Sequence, residues 1–194
     1  MIGGIRTNLI SVRNVGPFDL GRLARLHRGC FEEAWSRSDL AHLLAMPGAF
    51  GLVARVYEGG IAGLDGLRGV GFAICRVAAD EGELLTIGVT PHFRRRGAAA
   101  ALLRAGMERC LRLGAGAMFL EVATDNQGAQ ALYEEHGFGR VGLRPDYYQR
   151  ANGARASAYT MRCDLARLLD DGTATATVAV EVPSRPEPRA RAFG

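Results

Sequence analysis

The most informative absence in this 194-residue chain is lysine, because all 24 basic residues are arginine. This excludes every chemistry that needs a lysine amine, including a Schiff base, a P-loop lysine and a lysine general base. The four cysteines and four histidines are scattered, with no C-x-x-C pair and no ligand spacing. We therefore expect no metal site, and we expect free, buried thiols in a reducing compartment.

Long hydrophobic runs are also missing. No uncharged apolar stretch approaches the roughly 18 residues that span a bilayer, and the first ten residues, MIGGIRTNLI, lack the apolar region of a secretory signal. We expect a cytoplasmic protein without a membrane partner. The hydrophobic fraction of 48% and charged fraction of 23% are typical of a globular domain, which excludes disorder throughout.

A net charge of +4 permits an acidic partner without requiring one. Nucleic-acid binding is disfavoured, because one arginine triplet without interleaved aromatic residues is a poor surface for stacking bases. The sequence therefore predicts no nucleic-acid partner.

The residue pattern predicts an ordered series of strands and helices. Strands are predicted at 9–15, 50–57, 70–78, 83–90, 117–123, 138–148 and 155–164. Helices are predicted at 19–31, 36–44, 97–113 and 126–136, with a loop at 59–69 and a turn at 80–82. We expect one α/β domain over residues 5–168. Residues 169–194 are expected to form a disordered tail, in which 173–182 alternates as an edge strand does.

The segment LLTIGVTPHFRRRG, residues 84–97, is the most informative for chemistry. A predicted strand is followed by three arginines and then by Gly97, where a long helix rich in alanine begins. The first N–H groups of a helix lack intrahelical partners and bind anions, and glycine lets a phosphate approach the backbone. This spacing favours a pyrophosphate or polyphosphate site; a solvated basic turn is the alternative.

Two further side chains have both a catalytic and a structural interpretation. Glu121 lies in a strand that is apolar on both faces, where a carboxylate is costly unless it is paired or lies at the strand end. Tyr133 shares an apolar helix face with its neighbours, which is more often typical of a core tyrosine. On local sequence alone, the structural interpretation is favoured for both residues.

Taken together, these residues resemble the GNAT superfamily of acetyl-CoA-dependent acetyltransferases. The run from Arg94 to Ala99 fits that family's phosphate-loop pattern, [Q/R]-x-x-G-x-[G/A]. The segments FEEAWSRSDL, GFAICRV and LEVATDNQGAQALYEEHGF are similar to those of bacterial ribosomal-protein-alanine N-acetyltransferases, the RimI type. The resemblance covers residues 8–164. It implies a single domain with a central mixed, mostly antiparallel sheet flanked by helices on both faces.

The resemblance also implies roles for individual residues. Glu121 matches the general base and Tyr133 the general acid. The implied contacts to acetyl-CoA, the co-substrate, come from Ile87, Gly88, Val89, Arg95, Arg96, Gly97, Ala98, Ala99, Ala100 and Asn126. Asn126 has a structural alternative as the cap of its helix. Trp35, Tyr147 and Tyr148 are implied on the substrate side, with core packing as their alternative.

The implied reaction is acetylation of a protein α-amine, with a small-subunit ribosomal protein that begins with alanine as the partner. A lysine or small-amine acetyltransferase and a non-catalytic acyl-CoA-binding module remain alternatives. One departure from the RimI type concerns the target: this chain has Ala156 and Ser157 where such sequences often carry an acidic pair. The oligomeric state is not readable from the sequence.

Overall fold

The computed structural model describes residues 10–57, 67–149 and 155–170. The strands in this part are β1 (Ile10–Asn14), β2 (Ala49–Tyr57), β3 (Leu67–Ala78), β4 (Glu81–Val89), β5 (Ala117–Ala123), β6 (Gly139–Gln149) and β7 (Arg155–Asp164). The helices are α1 (Leu20–Cys30), α2 (Arg37–Ala45), α3 (Ala98–Arg112), α4 (Gln127–Glu135) and α5 (Arg167–Asp170), with a 3-10 helix at Pro91–Phe93.

The strands form one sheet in the order β1-β2-β3-β4-β5-β7-β6. Every neighbouring pair is antiparallel except β4 and β5, which are parallel. A parallel pair needs a crossover connection, and α3 supplies it between β4 and β5. The mixed, mostly antiparallel sheet predicted by the resemblance is confirmed.

Helices cover the two faces of the sheet differently. On one face α3 packs over a large buried cluster that includes Leu102, Met107 and Met118. On the other face α1 and α2 pack over a smaller cluster that includes Leu23, Leu40 and Phe72, against β2, β3 and β4. Beyond β4 this second face carries exposed or half-buried side chains. They are Phe119 and Glu121 of β5 and Thr160 and Arg162 of β7.

The helix ends follow from local chemistry. The Ser36 side chain accepts from the Asp39 N–H and the Asp39 carboxylate accepts from the Ser36 N–H, which is the capping box that starts α2. Gly97 precedes α3 with φ of +84°, a left-handed conformation that a side chain disfavours. Asn126 accepts from the Ala129 N–H and caps α4.

The predicted elements are present with small corrections at their ends. Strand β3 already begins at Leu67, so the last residues of the predicted loop 59–69 belong to the sheet. The turn before β4 is formed by Ala79, with φ of +53°, and Asp80, and β4 begins at Glu81. The predicted edge strand at 173–182 and most of the tail lie outside the described residues. Within the part that is described, α5 extends to Asp170.

No helix among the described residues is both long and apolar enough to cross a membrane.

Candidate active site

The central feature of the site is a gap between β4 and β5. The two strands pair from Glu81 with Ala117 to Leu84 with Leu120, and their pairing ends there. A β-bulge at this point leaves Leu85 as the extra residue, because Cys75 of β3 faces Leu84 and the next residue, Ile74, faces Thr86. The bulge bends β4 away from β5, and the C-terminal halves of the two strands separate.

The backbone of β4 beyond the bulge presents hydrogen-bonding groups to this gap. The Thr90 N–H donates to the Val70 carbonyl at 2.9 Å. Val70 of β3 and Thr90, which follows β4, therefore form a hydrogen-bonded pair of the antiparallel ladder. Such pairs alternate along an antiparallel ladder, so the N–H and C=O groups of Ile87 and Val89 point away from β3, towards β5. The Val89 carbonyl accepts from the Arg94 side chain at 3.1 Å.

Gly88 lies between these two residues and faces α1. A Cβ at this position would stand 3.0 Å from the Cβ of Cys30 and 3.0 Å from the ring of Phe72. Glycine therefore allows α1 to pack closely on β4 beside the gap. Burial raises the pKa of the Cys30 thiol to about 11, so this thiol is not a nucleophile at neutral pH.

The N-terminal end of α3 adjoins the open end of the gap. Its first intrahelical bond is from the Ala101 N–H to the Gly97 carbonyl at 2.9 Å, so the N–H groups of Ala98, Ala99 and Ala100 precede the ladder. In the turn before Gly97, Arg95 has φ of +59°, a left-handed backbone conformation. Arg95 and Arg96 are exposed, and Arg96 stacks on Phe93 at 5.4 Å. The arrangement fits an anionic group, as the sequence predicts.

Glu121 lies just beyond the last paired residue of β5, on the face that α1 and α2 leave open. Its side chain is 21% exposed and its Oε1 lies 2.9 Å from Nη1 of Arg144. The Tyr147 hydroxyl donates to the same carboxylate, and this bond, with burial, raises the pKa of Tyr147. Glu121 is therefore a partly shielded carboxylate at the start of the gap.

Tyr133 of α4 approaches from the other side of the sheet. It is 5% exposed and packs against Phe138, with ring centroids 5.9 Å apart. Burial, followed by the proximity of Tyr148, raises the pKa of Tyr133 well above its usual value, so its hydroxyl stays protonated at neutral pH. Tyr148 is half-buried, its hydroxyl donates to the Glu121 carbonyl at 3.3 Å, and burial raises its pKa to about 12.

Similarity to known proteins identifies the family. The model of the acetyltransferase (GNAT) family matches residues 20–138, more than half of the chain. The chain belongs to the GNAT acetyltransferase family. It is therefore an acetyl-CoA-dependent N-acetyltransferase, and the gap between β4 and β5 is the candidate active site of that enzyme.

Individual relatives agree with the family match. The chain is 38% identical over 160 residues to the N-alpha-acetyltransferase RimI of Mycobacterium tuberculosis, covering 81% of this chain and 94% of that protein. It is 38% identical over 82 residues to the ribosomal protein bS18-alanine N-acetyltransferase of Escherichia coli, covering 42% of this chain and 55% of that one. The crystal structure of the Escherichia coli ribosomal-protein-S18-alanine N-acetyltransferase superposes with a TM-score of 0.69 at 25% identity, over 81% of this chain and 94% of that structure.

In this GNAT domain Asn126 serves first as a helix cap. Its Oδ1 accepts from the Ala129 N–H at 3.1 Å, which is the structural alternative that its sequence position suggested. The start of α4 is held to the end of β5 by Gln130, a buried residue that the sequence analysis missed. Its amide donates to the carbonyls of Ala123 and Thr124, both at 3.0 Å.

Trp35 lies in the connection between α1 and α2 and is 37% exposed. Its ring stacks on His27, with centroids 4.8 Å apart, and its backbone N–H donates to Nδ1 of His27 at 3.2 Å. Burial lowers the pKa of His27, so the neutral ring can accept this bond. Trp35, the residue before the α2 cap, is thus anchored on His27, and the exposed part of its ring remains on the surface.

Arg144 is the second residue that sequence reasoning missed. It lies in a strand that the sequence presents as a continuous run, and only the pairing of β6 with β7 shows which face it occupies. Among the residues that the structure describes, no group of three or more histidine, cysteine, aspartate or glutamate side chains is arranged to hold a metal ion.

Proposed function

We propose that this GNAT enzyme acetylates the α-amine of a protein that begins with alanine, a small-subunit ribosomal protein. The observation that supports the proposal is a link between Glu121 and Tyr133 through Tyr148, whose hydroxyl donates to the Glu121 carbonyl and which lies close to Tyr133. The substrate class is supported by the relatives, whose names specify N-alpha-acetylation and ribosomal protein bS18. A ribosomal substrate also places the reaction in the cytoplasm.

The need for a base follows from the substrate. A peptide α-amine has a pKa near 8, so about a tenth is neutral and nucleophilic at pH 7. A carboxylate at the point where the amine enters accepts the proton, directly or through one water. Glu121 supplies this group, because its carboxylate is at the start of the gap and is reached from the open face of the sheet.

The gap fits an extended chain with an anionic end. The Ile87 and Val89 backbone would pair with the pantetheine arm, while Arg95, Arg96 and the first turn of α3 would hold the pyrophosphate. Acetyl-CoA supplies an activated acetyl thioester when it is bound. The Val89 N–H points into the gap and would donate to the acetyl carbonyl oxygen as negative charge develops there.

Tyr133 completes the proton balance. The α-ammonium loses two protons as it becomes an amide. The first goes to Glu121, which releases it to solvent, and the second, lost after attack, restores the Tyr133 hydroxyl that has given its proton to the departing thiolate of CoA. Burial raises the pKa of Tyr133, so its hydroxyl carries a proton to donate at neutral pH. The reaction needs no covalent enzyme intermediate, since the amine attacks the thioester directly.

The substrate side would be bounded by the exposed aromatic residues. Trp35 on one side and Tyr147 and Tyr148 on the other would frame the peptide N-terminus. Tyr147 is 46% exposed, and its hydroxyl already contacts the Glu121 carboxylate. Packing around Trp35 and Tyr148 accounts for part of each ring, and the accessible remainder is what a peptide would meet.

The test is intact-mass spectrometry of peptides incubated with the enzyme and acetyl-CoA. The set contains Ala-, Ser-, Met- and Gly-starting peptides, an N-blocked lysine peptide and a polyamine. One added acetyl group on Ala-starting peptides is the expected result. Acetylation of the lysine peptide or the polyamine instead would contradict the substrate proposal, and CoA binding without any product would favour a non-catalytic module.

A further inference from the structure

The Glu121 carboxylate is already engaged by a cation of the protein itself. Arg144 approaches it to 2.9 Å, within hydrogen-bonding distance, while Tyr147 donates to the same group. A protonated α-amine that delivers its proton directly to Glu121 must come equally close. A second cation beside this carboxylate would be repelled by Arg144 at close range, so the incoming ammonium gains most if Arg144 moves away.

Arg144 is held loosely enough to leave. Its side chain is 57% exposed, and its guanidinium also lies 5.3 Å from the centroid of the Tyr147 ring, which is an alternative place for a cation. The pairing of β6 with β7 is interrupted between Arg144 and Tyr148. Inside this interruption Asp146 has φ of +53°, and its N–H donates to the Ser157 hydroxyl at 3.3 Å.

Space for an incoming group is present beside the pair. A cavity of about 290 Å³ lies on the open face of the sheet and is bordered by Glu121 and Arg144. The other titratable or charged groups that border it are Arg76, Glu81 and Glu83. From β7 the cavity receives Thr160, which carries no charge.

We propose that Arg144 is a displaceable counter-ion, which occupies the place of the substrate α-ammonium on Glu121 and is exchanged for it when the peptide binds. The inference rests on the proposed function, since it takes Glu121 as the group that receives the amine. One cation leaves as another arrives, so the charge around the carboxylate is conserved. Arg144 acts through Glu121 and is a positioning residue, which sets how strongly a cationic N-terminus binds.

The test compares Arg144→Gln with the unaltered enzyme on an Ala-starting peptide at saturating acetyl-CoA. An exposed ion pair contributes up to about 1 kcal/mol, so removing the competitor lowers the KM for the peptide about two- to fivefold. The value of kcat stays within about twofold. Arg144→Lys keeps a competing cation and restores a KM close to that of the unaltered enzyme.

The pH dependence provides a readout that a merely structural role would not move. The acid limb of kcat/KM reports the free enzyme, whereas that of kcat reports the complex. Arg144 pairs with Glu121 in the free enzyme, so its removal moves the limb of kcat/KM. The limb of kcat stays in place, because Arg144 has already left in the complex.

Arg162→Gln is the matched control. Arg162 is an exposed arginine of β7 whose guanidinium lies 5.9 Å from the Phe119 ring centroid, so its loss removes the same charge without touching the pair. This variant is expected to leave the KM for the peptide and both limbs unchanged.

An unchanged or raised KM in Arg144→Gln would overturn the exchange, as would an equal shift of both limbs. An equal fall of KM in Arg162→Gln would overturn it as well, by showing a general charge effect. Failure of the proposed function looks different, because Glu121→Gln would then keep its activity, whatever Arg144→Gln does.

Discussion

The two ends of the seam between β4 and β5 are built from the same strands and behave differently. At one end Glu81 to Leu84 pair with β5, and Gly82 packs directly on α3. At the other end β4 keeps its partner β3 and β5 keeps its partner β7, and within the described residues no strand pairing joins β4 to β5 beyond Leu84. The first end holds the domain together; the second leaves backbone groups and a carboxylate available to substrates. Changes at the open end are therefore expected to alter catalysis, and changes elsewhere to alter stability.

A large effect is expected at Tyr133, near the open end of the seam. Tyr133→Phe removes the hydroxyl and keeps the ring that packs on Phe138, so kcat falls about 10²-fold while the affinity for acetyl-CoA and the melting temperature stay nearly the same. Steady-state rates, calorimetric titration and thermal unfolding measure the three quantities. Tyr159→Phe removes a hydroxyl from β7 and serves as the control. A large loss of acetyl-CoA affinity in Tyr133→Phe would assign a packing role instead.

A smaller effect is expected at the helix that borders the open end. Gly97→Ala places a side chain at φ of +84°, which costs about 1–2 kcal/mol, next to the N–H groups that would face the phosphate. The Kd for acetyl-CoA should rise about tenfold. Gly114→Ala is the matched control, because Gly114 has φ of +94° with nothing within 4 Å of its would-be Cβ, and it follows α3 at the other end. Equal weakening in both variants would show that strain alone, and not the phosphate site, is responsible.

The smallest effect is expected in the part of the fold that only supports the site. Arg13 of β1 hydrogen-bonds Asp19, just before α1, at 2.5 and 2.6 Å, and this bond lowers the pKa of Asp19 from 3.8 to about 2. A lowering of this size corresponds to about 2.5 kcal/mol in a shielded pair, and the water around this partly exposed one reduces the contribution to about 1 kcal/mol.

Because the folded pKa of Asp19 lies below the unfolded one, this stabilisation is present above pH 4 and disappears as the pH falls through 2. Asp19→Asn should therefore lower the melting temperature by a few degrees at pH 7 and by almost nothing at pH 2, with kcat unchanged. A difference in melting temperature that persists undiminished at pH 2 would contradict the ion-pair explanation.

The sequence predicted the fold class and most element ends, because glycines, caps and turns mark those ends locally. Ser36 with Asp39, Gly97 and Asn126 each act where the pattern predicted. The proposed roles of Glu121 and Tyr133 came from a family resemblance, and the position of Glu121 beside the gap required the sheet.

What the sequence could not predict depends on register. A one-residue shift in pairing between Arg140 and Gly142 transfers the following residues of β6 to the opposite face. Simple alternation would have put Arg140 and Arg144 on the same side. Instead Arg140 lies over the Tyr159 ring and Arg144 meets Glu121. Such shifts leave little local signal, since they are decided by the partner strand.

The most direct test of the catalytic assignment is the pH dependence of kcat/KM for an Ala-starting peptide in Glu121→Gln and the unaltered enzyme. We expect kcat/KM of Glu121→Gln to fall about 10²- to 10⁴-fold near pH 7. The loss shrinks as the pH rises past 8, because the amine is then neutral without a base. Glu83→Gln, which removes a carboxylate from the same cavity, should behave as the unaltered enzyme. A loss in Glu121→Gln that stays constant across the pH range would contradict its role as the base.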